Sequence, residues 1–137
     1  MLPVSLTFAG AYALIALWLG IRVVMLRVKG KVEMGDGGHP HVLARMRAQA
    51  NFVEYTPFVL ILIVVLEIAG ASRDWLWGVG IVYAIARIVH PFGMDRPAPN
   101  PFRAGGALVT WAVLLGLAIW AIVLASHAPS APAVHYL

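Results

Sequence analysis

Arg47, Asn51, Glu54 and Tyr55 recur at i, i+4, i+7 and i+8 along one stretch of the chain. In a helix this spacing places all four on one face. A guanidinium, an amide, a carboxylate and a phenol therefore share a stripe at the head of an apolar run, residues 58–66. Ionisable groups at membrane depth are costly and usually face a bundle interior or a cavity. Guanidinium groups clamp carboxylates through paired hydrogen bonds. Glu54 can hold an ammonium, and the amides of Asn51 and Gln49 can read peptide groups. With Arg87, Arg96 and Arg103 further along the chain, the set suits a small zwitterionic or anionic ligand.

A second stripe, Tyr83, Arg87, His90 and Met94, recurs at i, i+4, i+7 and i+11. Arg87 is the only basic residue in its apolar run and is the natural electrostatic partner for Glu54. One reading is an internal ion pair that only holds a bundle together. The other, favoured because intramembrane ionisable groups are more often functional, is a binding site. No Ser-His-Asp order, HExxH motif or paired aspartate motif is present. Chemistry at this face would then come from a bound reagent. A thiol is one such reagent, because its pKa of ~8.5 falls beside arginine and the thiolate fraction rises.

The elements that must position these groups are membrane helices. Of 137 residues, 61% are hydrophobic and 12% charged, and the mean hydropathy is +0.85. Soluble domains run nearer one-quarter charged. The chain reads as a single-domain, all-α integral membrane protein. It has no cysteine, which excludes disulfides, thiolate metal sites and a protein thiol nucleophile. The net charge of +4 reports orientation in a membrane rather than nucleic-acid binding.

Four apolar segments, at about 5–28, 40–69, 75–94 and 102–126, are each long enough for a core that takes ~20 residues to cross. The tail, 127–137, has no periodicity and is expected to be loosely ordered. Arg22 and Arg27 are expected to snorkel from the end of the first helix. Ala9, Ala13, Ala16 and Gly20 form a small-residue stripe of the kind that lets helices approach in lipid. Gly35-Asp36-Gly37-Gly38 marks turns; it lacks the GxxxxGK[ST] pattern and the preceding strand of a phosphate loop. His39 and His41 have no third ligand nearby, so no metal site is expected. Pro57 is expected to kink the second helix beside Glu54 and Tyr55. Glu67 is expected to reach water at the far end. Asn100-Pro101 reads as the N-cap and first turn of the last helix. Nine of the ten basic residues fall on the side of the first and third loops, and Arg73 alone on the other. The positive-inside rule then puts the two polar stripes in the cytoplasm and both termini outside.

Arg47-Ala48-Gln49-x-Asn51-x-x-Glu54-Tyr55-x-Pro57 closely resembles the second-helix motif of the MAPEG family, the membrane-associated proteins in eicosanoid and glutathione metabolism. Gly35-Asp36-Gly37-Gly38 and Asn51-Phe52-Val53-Glu54-Tyr55 look like the bacterial branch, and the resemblance covers nearly the whole chain. It implies a homotrimer of four-helix subunits in the bacterial inner membrane, with glutathione held between neighbours near the cytoplasmic face. By motif match, Arg47, Asn51, Glu54 and Tyr55 take glutathione-contacting positions. Gln49 matches a residue given by the adjacent subunit, and Arg27 a basic residue at the end of the first helix. Tyr83-x-x-x-Arg87 is similar to the leukotriene C synthase branch. Two glutathione-contacting tyrosines of that branch correspond to His90 and Met94. Its thiol-activating arginine aligns with Pro101, so Arg103 is the nearest replacement, and Arg96 matches a basic residue of the preceding loop.

The resemblance implies a glutathione- or related thiol-dependent transferase or peroxidase that detoxifies lipophilic electrophiles drawn from membrane lipid. Arg103 and Arg96 would act on the thiol. Arg27, Arg47, Gln49, Asn51, Glu54, Tyr55, Tyr83, Arg87 and His90 would bind it. The alternative is a non-catalytic lipid-binding or scaffold protein that keeps the fold.

Overall fold

The computed structural model describes residues 1–127, so of the tail at 127–137 only His127 lies within the described residues. The chain forms helices α1 (Pro3–Gly30), α2 (Pro40–Ile68), α3 (Arg73–Met94) and α4 (Pro101–Ser126). Each is long and apolar enough to cross a membrane, and no strand interrupts them among the described residues. Helices satisfy their own backbone, which is the requirement lipid imposes. Proline occupies the first turn of α1, α2 and α4, where its missing N–H costs no helical bond. Asn100 caps α4 as expected, its Oδ1 accepting from the Phe102 N–H at 3.0 Å. Pro57 and Pro91 lie inside α2 and α3, and both helices continue through them.

Short connections make successive helices antiparallel. The pairs α1–α2 and α3–α4 pack most extensively; α2 also meets α3 and α4, and α1 meets α3. Their shared core is built from Phe8, Tyr12, Leu19, Ile63, Leu76 and Tyr83, among others. The outward faces are equally apolar, with Leu17, Ile61, Ile85, Leu115 and Ile119 exposed. Helices that are apolar all round suit a lipid solvent.

Two expectations need correction. Glu67 does not reach water: it is buried at 6% exposure. Its carboxylate accepts from the backbone N–H of Val4 at 3.1 Å, that of Ser5 at 2.8 Å and the Ser5 hydroxyl at 2.6 Å. The first N–H groups of a helix have no intrahelical partner and carry partial positive charge. A carboxylate at the end of α2 satisfies those of α1, so the two helices are pinned together.

Arg22 does not snorkel either. It is buried and pairs with Asp95, with its guanidinium 4.9 Å from the Trp18 ring and 5.4 Å from the Phe92 ring. Arg45 shares the same carboxylate, Nε to Oδ1 at 3.5 Å, and donates to the Arg22 carbonyl at 3.0 Å. A single acid thus ties α1, α2 and the end of α3 together. The internal partner outcompetes the interface for Arg22.

Candidate functional site

At the end of the bundle where α1 and α3 finish and α2 and α4 begin, a cleft of about 380 Å³ opens. Its walls carry Arg47 and Asn51 from α2, His90 and Met94 from α3, Asn100 from the connection, and Arg103 from α4.

The cleft has this shape because α3 and α4 meet closely at its back. A Cβ at Gly93 would collide with the backbone nitrogen of Arg103. One at Gly106 would lie 2.6 Å from the His90 Cβ. Two positions without side chains therefore set where Arg103 and His90 stand. The contact is completed by His90, whose Nδ1 lies 3.0 Å from the Arg103 carbonyl oxygen.

Behind the cleft sits Arg87, only 2% exposed. Its Nη1 donates to Asn51 Oδ1 at 2.8 Å, and its Nη2 donates to the Gly106 carbonyl. A guanidinium only donates, so the oxygen of Asn51 must face it. The Asn51 amide NH₂ is then left for the cleft. Arg87 thus orients a donor without itself lining the space.

The expected Arg87–Glu54 pair is not formed. Among the described residues both ion pairs run to Asp95. Glu54 is exposed on the outer side of α2, while α3 meets α2 through Asn51 and Thr56. Among the described residues the buried guanidinium of Arg87 has no carboxylate partner.

The remaining sequence candidates fall in three places. Tyr83 is fully buried, its hydroxyl 2.9 Å from Thr56 Oγ1, and does not line the cleft. Tyr55 is half-buried, and Arg96 is exposed with its guanidinium 5.1 Å from the Phe102 ring. Gln49 and Arg27 face the α1–α2 side. A Cβ at Gly20 would sit 3.4 Å from Gln49 Nε2, and Arg27 Nη2 donates to Met46 Sδ at 3.4 Å. The chain therefore brings together Arg47, Asn51, His90 and Arg103, backed by Arg87. It leaves Arg27 and Gln49 on another face.

Sequence reasoning gave no role to Asp95, which holds Arg22 and Arg45 at this end of the bundle, and did not place Asn100 in the cleft wall. Asp95 had a signal, being an acid amid the basic residues of this end. Asn100 was read only as a cap.

A larger space of about 660 Å³ runs between α3 and α4, lined by Trp75, Val79, Leu117 and Trp120 among others. A further pocket of about 290 Å³ shares Val82 and Val109 with it and reaches Phe102 and Gly106. Among the described residues no ionisable side chain lines either. Together they form an apolar track that ends beside the helix turn carrying Arg103.

A family model described as the MAPEG family matches residues 5–123. The chain is also similar to the "Inner membrane protein YecN" of Escherichia coli, found in two strains. It is 32% identical to that protein over 112 residues, which span 82% of this chain and 85% of the relative.

Proposed function

The chain belongs to the MAPEG family, and from that premise we propose that it is a transferase or peroxidase that uses glutathione, or a related thiol, against lipophilic electrophiles. The observation that carries this reading is the cleft, in which two arginines, an oriented amide and an imidazole converge and, among the described residues, no carboxylate lines the space. Such a set suits an anionic co-substrate. Arg47 can pair with its carboxylate, and Asn51 can donate to a peptide carbonyl. The chain has no cysteine of its own, so the reacting sulfur comes with the ligand. Guanidinium groups beside that sulfur stabilise the thiolate. The membrane delivers the electrophile, and the apolar track between α3 and α4 accepts its hydrocarbon.

The same reading makes the assembly a homotrimer. Glu54 and Arg47 are charged, exposed and without an ion-pair partner among the described residues at the start of a membrane segment, a costly state unless a neighbour or ligand meets them. Gln49 and Arg27 face away from the cleft, where they can complete a neighbour's site. Native mass spectrometry from detergent with added glutathione is expected to give a trimer carrying up to three thiols. A monomer that binds glutathione with full affinity would refute the shared site.

Glu54→Gln is expected to leave the fold intact and weaken glutathione binding roughly ten- to a hundredfold, the ~1.5–3 kcal/mol of a hydrogen bond to a charged group. Arg103→Ala is expected to spare much of the binding and lower turnover of a generic electrophile, because thiolate stabilisation acts on the reacting sulfur. Unchanged affinity in the glutamine variant, measured by calorimetry, would remove Glu54 from the site.

The basic residues gather at the cleft end, which we assign to the cytoplasm by the positive-inside rule. With no native cysteine to interfere, His127→Cys is expected to react with an impermeant thiol reagent on intact cells. Reaction only after lysis would reverse the orientation.

One observation favours a second reading, a lipid-binding scaffold without catalysis: the larger space in the subunit is lined by aliphatic and aromatic residues. Co-purified lipid together with no thiol binding and no conjugation would select it.

A further inference from the structure

We propose that His90 is the general base that deprotonates the bound thiol, an inference that rests on the thiol-dependent reading above. The position was identified from sequence only as a binding residue. Three features of the structure give it a catalytic role.

The first is its tautomer. His90 Nδ1 lies 3.0 Å from the Arg103 carbonyl oxygen. A carbonyl only accepts, so Nδ1 carries the hydrogen. In the neutral ring the lone pair is then on Nε2.

The second is its direction. Nδ1 and the Cβ face Gly106 of α4, where there is room for no side chain. The buried side-chain nitrogens and oxygens without a partner among the described residues all belong to Arg22, Arg27, Arg45 and Arg87. Nε2 of His90 is not one of these and has no hydrogen bond among the described residues; it lies across the ring from the Nδ1 contact, and His90, although only 5% exposed, forms part of the cleft wall.

The third is the absence of a rival. The polar residues lining the cleft are Arg47, Asn51, His90, Asn100 and Arg103. Arginine stays protonated and amides are not basic. Among the described residues His90 is therefore the one group lining the cleft with a basic lone pair. The charged groups around it are Arg47 on α2, Arg87 on its own helix and Arg103 on α4.

The thiol S–H bond breaks, the proton passes to His90 Nε2, and the electron pair stays on sulfur. The thiolate, held beside Arg47 and Arg103, attacks the electrophilic carbon and forms the C–S bond. The imidazolium then returns the proton to the leaving group or to the atom that received the displaced electron pair. The arginines stabilise charge, and His90 moves the proton.

The test uses the full-length protein in detergent with glutathione and a generic electrophile. His90→Gln keeps an N–H for the Arg103 carbonyl but no basic nitrogen. It is expected to hold glutathione within about threefold of the wild type and to lose the thiolate ultraviolet absorbance at neutral pH. Its kcat/KM at pH 7 is expected to fall roughly 10²- to 10³-fold, within the range of general-base catalysis. The deficit should close as pH rises past the thiol's own pKa of ~8.5. In His90→Ala, added imidazole should restore turnover saturably. Wild-type rate and pH profile in His90→Gln would overturn the inference while leaving the thiol reading intact. No glutathione binding by the wild type would overturn both. Should both variants fail to fold, the wild-type profile decides. A rate that is already rising with pH well below the ionisation of the free thiol supports the base; one that rises only with that ionisation overturns it.

Discussion

Glu67→Ala is expected to destabilise the fold by about 3 kcal/mol, read as a shift in the unfolding transition in detergent. Glu67 accepts three hydrogen bonds from the first turn of α1. Bonds to a charged group are worth about 1.5–3 kcal/mol each when intact. Water at the headgroup boundary recovers part of that when the carboxylate is gone, so the sum is discounted. Ser5→Ala removes one of the three and should cost about 1 kcal/mol. The site should be untouched in whatever fraction stays folded, because Glu67 lies sixteen residues beyond Asn51, ~24 Å along the helix at 1.5 Å per residue. An alanine variant as stable as the wild type would mean that α1 is held by apolar packing alone.

The helices were legible because their signals are one-dimensional. Four apolar runs of sufficient length, the Asn100-Pro101 cap and the glycine-marked first loop can all be read without knowing what packs against what. Their bounds moved by only a few residues. Glu67 and Arg22 were misread for a shared reason. A charge near a helix end was assigned to water, the nearest partner that sequence can name. The actual partners, Ser5 for one and Asp95 for the other, are about sixty to seventy residues distant in the chain. Only the antiparallel return of the helices brings them close.

The site divides along the same line. Arg47 and Asn51 were found by their spacing on one helix, and His90 by its spacing on another. What spacing did not give was the order of contact between helices. Arg87 was assigned to Glu54 by charge, but the packing turns Glu54 outward and offers Arg87 an amide and a carbonyl. The close approach at Gly93 and Gly106, which fixes Arg103 and His90, has no signature beyond two glycines in apolar surroundings.

Arg87→Met separates stability from binding. Arg87 is a cation buried without a carboxylate among the described residues, and an uncompensated charge in a low-dielectric interior is expensive. Methionine fills a similar volume with no charge to desolvate. The acceptors that Arg87 leaves behind are not stranded. The Gly106 carbonyl also accepts from the Thr110 hydroxyl at 2.7 Å, and Asn51 can turn its oxygen toward the open cleft. The variant is therefore expected to be at least as stable as the wild type, and up to about 3 kcal/mol more so, by analogy with apolar replacement of buried ionic groups. Binding should move the other way. Without Arg87 nothing holds the Asn51 oxygen inward, and the amide NH₂ no longer points at the ligand. Glutathione affinity is expected to fall roughly ten- to a hundredfold, ~1.4–2.7 kcal/mol. Arg87→Lys should lie between, because an ammonium lacks the planar fork that reaches Asn51 and Gly106 together. Melting temperature and thiol affinity measured on the same three preparations decide the matter. A methionine variant that melts early and still binds glutathione at wild-type strength would make Arg87 a structural pin between α2, α3 and α4, and nothing more.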